Sequence, residues 1–192
     1  MAAATGVRGH IFDRSDAFIV RWHARLTNRR ETLAEHHYFV ARNVLMICRA
    51  LAHYGIAEPN TLDAVTLALV HDAVERITGD VSGRLKRLAP ELRAVLVEVE
   101  RRVIDGMLFP SLPDGIGSYY RALARRASDA GSDDLEAQIV KYADKLEAYL
   151  FAKTELDLGN NLMNDVVALI EGELAELRWG WLAALRERTG LP

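Results

Sequence analysis

Along residues 32–54 apolar side chains return every three or four positions, with Val40, Val44, Ile47 and Leu51 forming one stripe and His36 at its head. That period predicts an amphipathic helix whose inner face starts at a histidine. Thr32 and Glu35 have capping-box spacing at its beginning, and Gly55 suits the position just past its end. The same reading gives a helix from about Leu62 to Arg76 and one from Pro90 to about Leu108, with proline in a favoured first-turn position. A long helix starts near Ser132, with Asp133 and Asp134 against its positive end, and runs to about Leu158; a last one covers roughly 161–188 and a shorter one 116–127. Turn-forming clusters separate them: GIAEPN at 55–60, GDVSG at 79–83, FPSLPDG at 109–115 and SDAGSDD at 128–134. No segment alternates with β-branched enrichment, so a sheet has no source and the expected class is all-α.

Composition narrows the setting. A chain of 192 residues that is 50% hydrophobic and 27% charged can bury a full core, and it is too short for two comfortable domains, so residues 1–192 are expected to form one. Cys48 is the only cysteine, which excludes a disulfide framework and a cysteine-based zinc cluster and fits a reducing, cytoplasmic setting. Residues 1–16 lack a continuous apolar stretch, and no run approaches the roughly 18 apolar residues of a membrane span, so no membrane partner is expected. A net charge of -3 gives no electrostatic case for a nucleic-acid polymer as the main partner.

The strongest chemical signal is HDAVERITGD at 71–80. On a helix, His71 and Glu75 are four apart and Asp72 and Glu75 three apart, so the three side chains can converge above it. Ten residues alone fit an ion cluster on a solvated face just as well. His36 heads a buried stripe, and Asp144 lies on one side with Val140, Ala148 and Phe151, so a carboxylate there faces inward and needs a cation; Lys141 and Lys145 flank it on other faces. Singly, His36 reads as a hydrogen-bonded core histidine and Asp144 as the partner of some arginine. Together with His71 and Asp72 they make an N2O2 set suited to one divalent transition metal, cobalt, manganese, zinc or iron, rather than calcium. His37 is about 100° around the helix from His36 and is expected beside the site or at the surface. His10, His23 and His53 have no supporting pattern.

The order His36, His71-Asp72, Asp144 resembles the HD superfamily of metal phosphohydrolases. RW at 21–22, ETLAEH at 31–36, HDAVERITGD at 71–80 and KYADKLEAYL at 141–150 look like its bacterial 5′-deoxynucleotidase branch over roughly 21–155. The resemblance implies a single-domain helical bundle around a central metal, acting on deoxynucleoside 5′-monophosphates. It implies His36, His71, Asp72 and Asp144 as metal ligands, Glu75 as the acidic catalytic residue with Asp80 near it, and Arg21, Trp22 and Asp80 as phosphate and sugar contacts. A metal there polarises a phosphoryl oxygen and activates water, Glu75 hands a proton to the leaving sugar oxygen, and Arg21 grips phosphate with a bidentate fork. The branch also implies a homodimer. LRWGWLAAL at 177–185 can cap the core or form the dimer surface.

Two departures bear on the substrate. After Asp80 the branch tends to continue with proline, whereas this chain reads VSGRLKR, and HARLTNRR after Trp22 is basic. Arg25, Arg29, Arg30, Arg84, Lys86 and Arg87 are either solvated turn charges or receivers of a longer phosphate chain, as in a dATP-type triphosphohydrolase. Ala24, two residues after Trp22, is small enough for a purine beside it, which by itself sets no base preference. The non-enzymatic rival is a silent HD module that binds a nucleotide or a protein, which has no need of a full ligand set plus Glu75.

Overall fold

A computed structural model describes residues 14–81, 89–107, 112–128 and 133–192. Among these residues there are eight α-helices and no strand: α1 Leu33–His53, α2 Thr61–Ala68, α3 Glu75–Thr78, α4 Pro90–Gly106, α5 Asp114–Ser128, α6 Leu135–Asp157, α7 Asn164–Ala175 and α8 Gly180–Thr189. The expected all-α class stands.

Helices α1 and α6 lie against each other at the centre, α2 leans on both, α7 packs on α6, and α5 bridges α4 to α2 and α6. The stripe of Val40, Val44, Ile47 and Leu51 on α1 is at most 3% exposed and meets Leu67 of α2 and Ile139 and Tyr142 of α6 in one core. Each such aliphatic side chain contributes roughly 1.5–3 kcal/mol when buried, so the α1–α6 seam is the stable spine on which the rest is hung. Thr32 and Glu35 form the expected reciprocal cap. Arg126 joins three elements, reaching Asp63 of α2 at 2.6 Å and the α6 N-cap Asp134 at 2.8 Å.

Two expected helices are interrupted. The span 62–76 is helical only to Ala68 and resumes at Glu75, so His71 and Asp72 stand on a turn. The Ala68 carbonyl, which a continuing helix would offer to the backbone, accepts from the His71 ring at 2.7 Å, and a side chain has replaced a helical bond. The span 161–188 splits into a 3-10 turn at Asn161–Met163, α7 and α8. Arg186 donates to the carbonyls of Leu174 at 2.7 Å and Leu177 at 3.3 Å, satisfying the open C-terminal end of α7 from the next helix. LRWGWLAAL caps the core: Leu182 and Leu185 are fully buried, Trp179 stacks on Trp181, and the Trp181 indole donates to Gln138.

The segment before α1 is folded back on it. Val20 and Thr32 form an isolated antiparallel bridge, and the Arg21 amide donates to the Glu31 carbonyl at 3.0 Å. Buried Glu155 of α6 accepts the backbone amides of Asn28 and Arg29 at 2.6 and 3.0 Å. These bonds hold Arg21 and Trp22 against the α1–α6 seam.

Candidate metal centre and cleft

Side chains from three separated segments meet at one point. His36 comes from the first turns of α1, His71 and Asp72 from the turn after α2, and Asp144 from α6. His36 Nε2 lies 3.3 Å from His71 Nε2, 3.5 Å from an Asp72 oxygen and 3.2 Å from an Asp144 oxygen. His71 Nε2 is 3.2 Å from Asp72 and 3.9 Å from Asp144. All four donor atoms fall within 4.8 Å of one another. Ligands about 2.1 Å from a shared ion are separated by about 3.0–4.2 Å in tetrahedral or octahedral geometry, so this set fits a transition metal.

The far nitrogens are already committed. His36 Nδ1 contacts Glu147 at 2.6 Å and His71 Nδ1 contacts the Ala68 carbonyl at 2.7 Å, which turns both Nε2 atoms toward the meeting point. Burial works against charge on each imidazole and so does Arg21 on His36, yet Asp144 and Asp72 outweigh this: His36 is held well above the ordinary histidine value and His71 is pushed up to about 10. Burial opposes ionisation of the two aspartates as well, but the paired imidazoles hold both far below the usual carboxylate range. The two charged imidazoles and the two carboxylates balance one another, and a divalent cation can take the place of the imidazole protons.

Asp144 is not turned into the core as its periodicity predicts. Its side chain is 38% exposed and that of Asp72 28%, against 0% for His36, so the carboxylates face an open cleft while the first histidine is buried behind them. The cleft holds about 490 Å³ and is lined by His71, Asp72, Glu75, Thr78, Asp144 and Lys145, among others. Lys141 and Lys145, expected on other faces of the helix, line the same cleft, and Lys145 meets Glu173 of α7 at 2.5 Å. Glu75 therefore lines the same cleft as His71, Asp72 and Asp144, though at the start of α3 and not on one helix with His71.

Arg21 reaches this centre from the folded-back segment, with Nη1 3.6 Å from Asp72 and Nε 3.2 Å from Glu31. Burial disfavours its charge, but Asp144, Asp72, Glu147 and Glu31 more than compensate and keep it firmly cationic. The Trp22 indole donates to Glu31 at 2.9 Å and stacks on Phe151 at 5.3 Å between centroids. Asp80 stands apart from the donor cluster and faces His23 at 3.7 Å.

The residues that pattern reading passed over are those that hold the others. Glu31 and Glu147, each 5% exposed, form with His36 a second carboxylate group. Burial and the Glu147 charge push the Glu31 carboxyl up to about 7. Glu31 is already engaged by the Trp22 indole, the Arg21 guanidinium and a hydrogen bond with the Glu147 carboxyl, and the guanidinium supplies the positive charge, so this group fits a supporting role. Both lie inside the blocks that carry the family resemblance, ETLAEH and KYADKLEAYL, but Glu147 is one of several acids on α6, and only the fold places it against a histidine 111 residues away. His37, expected beside the site or at the surface, is buried next to Asp16, which Arg76 grips at 2.6 and 2.8 Å. Of the basic residues after Trp22, Arg25 pairs bidentately with Asp165 at 2.7 and 3.0 Å, and Arg29 and Arg30 line a separate cavity of about 170 Å³ behind Glu31 and Glu147. His10, Arg84, Lys86 and Arg87 lie outside the described residues.

The backbone resembles solved structures of low sequence identity. The PH0347 protein of Pyrococcus horikoshii OT3 superimposes with a TM-score of 0.70 at 23% identity, covering 93% of this chain and 95% of that one. The cyanophage S-2L HD phosphohydrolase DatZ, solved with dA and one catalytic Zn2+ ion, gives 0.64 at 23% identity over 90% and 89%. These show the fold. In sequence, a 5′-deoxynucleotidase of Erwinia tasmaniensis is 30% identical over 162 residues, which is 83% of this chain and 79% of the relative. The model of the 5′-deoxynucleotidase YfbR-like family matches residues 16–183. A match of that extent, on a helical frame that gathers the HD-type donors into one cleft, means that the chain belongs to the YfbR-like 5′-deoxynucleotidase family.

Proposed function

We propose that this protein is a metal-dependent phosphohydrolase that splits deoxynucleoside 5′-monophosphates into deoxynucleoside and orthophosphate. The observation that carries the reading is the convergence of the His36, His71, Asp72 and Asp144 donor atoms within 4.8 Å at the wall of a cleft that also contains Glu75. Those four residues would hold one divalent transition metal, cobalt, manganese, zinc or iron, which would supply Lewis-acid polarisation of the phosphoryl group and activation of water.

The protein's own residues do the rest. Arg21, kept cationic among four carboxylates, offers its guanidinium to the phosphate beside Asp72. Glu75 delivers a proton to the sugar oxygen as the P–O bond breaks. Glu147 holds the His36 ring in one tautomer through Nδ1. The family resemblance gives Trp22 and Asp80 the sugar side of the substrate, with discrimination against a ribose 2′-hydroxyl by sterics. The commitment of Arg25 to Asp165 and the placing of Arg29 and Arg30 around another cavity favour one phosphate over three. A cytoplasmic homodimer completes the proposal, with exposed Tyr38, Leu45 and Met46 on α1 as its candidate contact.

Incubating metal-loaded protein with dAMP and dATP in parallel, with products identified by ³¹P NMR, tests the reaction. Orthophosphate from dAMP with dATP intact supports it. Tripolyphosphate from dATP, or no product from any deoxynucleoside monophosphate across the four metals, overturns it.

A further inference from the structure

We propose that Glu31 is a positioning residue for substrate selection, holding the Trp22 indole and the Arg21 guanidinium on one carboxylate oxygen while Phe151 backs the indole. The inference rests on the reading of Trp22 and Arg21 as sugar and phosphate contacts.

Adjacent residues of an extended chain point to opposite sides. Trp22 breaks that rule with φ 59°, the left-handed region that side chains other than glycine enter rarely, and among the described residues no other non-glycine does so. Strain of this kind persists only where the surroundings over-determine it, and it concentrates at working sites. Here the surroundings are specific. The turn brings both neighbours to Glu31 Oε2, the indole by a 2.9 Å hydrogen bond and Arg21 Nε by an ion pair at 3.2 Å. The Val20–Thr32 bridge and the bond from the Arg21 amide to the Glu31 carbonyl fix the same two strands of chain from the backbone side. Glu31 is 5% exposed and also shares a hydrogen bond with the Glu147 carboxyl, so Oε2 is held where the indole and the guanidinium meet it.

The indole's other face is fixed by α6. Its ring lies 5.3 Å from Phe151 with planes only 7° apart. Asp144, Glu147 and Phe151 follow one another at three and four residues, which places them along one side of that helix. A single helix thus carries a donor of the candidate metal centre, the partner of His36 and the backing of Trp22. The distance from phosphorus to sugar is thereby set by a rigid element, which a steric test for one hydroxyl requires.

The test measures kcat/KM for dAMP and AMP in the wild-type protein and in Glu31→Gln, Glu31→Leu and Phe151→Leu, with metal content and melting temperature recorded for each. Glu31→Leu removes the acceptor, and its dAMP/AMP ratio is expected to fall about tenfold or more at unchanged metal content, the scale of losing one hydrogen bond to a charged group. Phe151→Leu leaves Arg21 paired and lowers the ratio several-fold. Glu31→Gln keeps a carbonyl oxygen for the indole N–H and retains the ratio within about threefold. In ¹⁵N–¹H spectra the indole signal assigned to Trp22 by its loss in Trp22→Phe moves in Glu31→Leu and holds in Glu31→Gln, a readout independent of turnover. An unchanged ratio in folded, metal-loaded Glu31→Leu and Phe151→Leu overturns the inference while leaving the nucleotidase reading intact. Should Glu31→Leu not fold, Phe151→Leu decides alone. A wild-type protein that hydrolyses no deoxynucleotide removes the nucleotidase reading and this role with it.

Discussion

At the scale of single residues, the candidate metal centre is built by partners more than by the donors themselves. Glu147 is fully enclosed against His36, and its replacement by alanine leaves the ring free to rotate and less basic; metal affinity is expected to fall about 10–100-fold, as read by competition with a chromophoric chelator. The proposed roles separate cleanly by substitution. Asp72→Ala should lose metal and turnover together, whereas Glu75→Gln should keep its metal and lose turnover by about a hundredfold or more. Full activity in metal-loaded Glu75→Gln would remove Glu75 from the reaction. The raised imidazoles also fix the sign of a pH effect. His71, pushed up to about 10, and His36, held above its ordinary value, must release protons to bind a cation. Affinity should therefore weaken as pH falls from 8 to 6, by about tenfold per pH unit for each proton displaced. An affinity independent of pH would contradict the protonated pair.

At the scale of elements, the informative join is between the 3-10 turn at Ser15–Ala17 and α3. Asp16 is buried between His37 and Arg76, and Arg76 is the residue after Glu75. Burial raises the Asp16 carboxyl, but hydrogen bonds from His37 and Arg76 outweigh it and hold the group below its ordinary value of 3.8. A depressed acid stabilises the fold above its unfolded pKa and loses that contribution as pH falls through the folded one. Asp16→Asn should therefore cost about 3 kcal/mol at neutral pH, since it leaves a buried guanidinium unpaired, and lower the melting temperature by roughly 10 °C. The difference from wild type should be constant above about pH 5 and close as the solution is acidified below that. A gap that widens in acid would show that the pair does not act this way. Cap chemistry works at the same scale: Thr32→Ala removes one half of the capping box that starts α1 with His36 in its first turns, and should cost about 1 kcal/mol by denaturant melts.

At the scale of the whole molecule, the candidate donors come from α1, the turn after α2 and α6, so a metal bound by them would tie these three elements together. A ligand that binds only the folded form adds stability by mass action, and chelation should lower the melting temperature by several degrees, an effect absent in Asp72→Ala. The fold class was legible in the chain because it is written in local spacing, and the candidate donor set because of the order of its members along the chain. Val40, Val44, Ile47 and Leu51 mark one helical face through a repeat of 3.6, Thr32 and Glu35 mark its start, and the adjacent pair His71-Asp72 with a distant histidine and aspartate is an order that few other chemistries need. The tertiary structure decided what local spacing cannot encode. The helix expected through His71 stops because the ring takes a carbonyl that the backbone would have used, and the one expected over 161–188 stops because Arg186 closes the end of α7 from α8. Glu31 and Glu147 gain their place only when the seam closes and buries them against side chains remote in sequence, for a carboxylate's partner is chosen by burial and charge in three dimensions. Periodicity names the face on which a residue stands; the packed neighbours determine whether that face meets core, water or a cation.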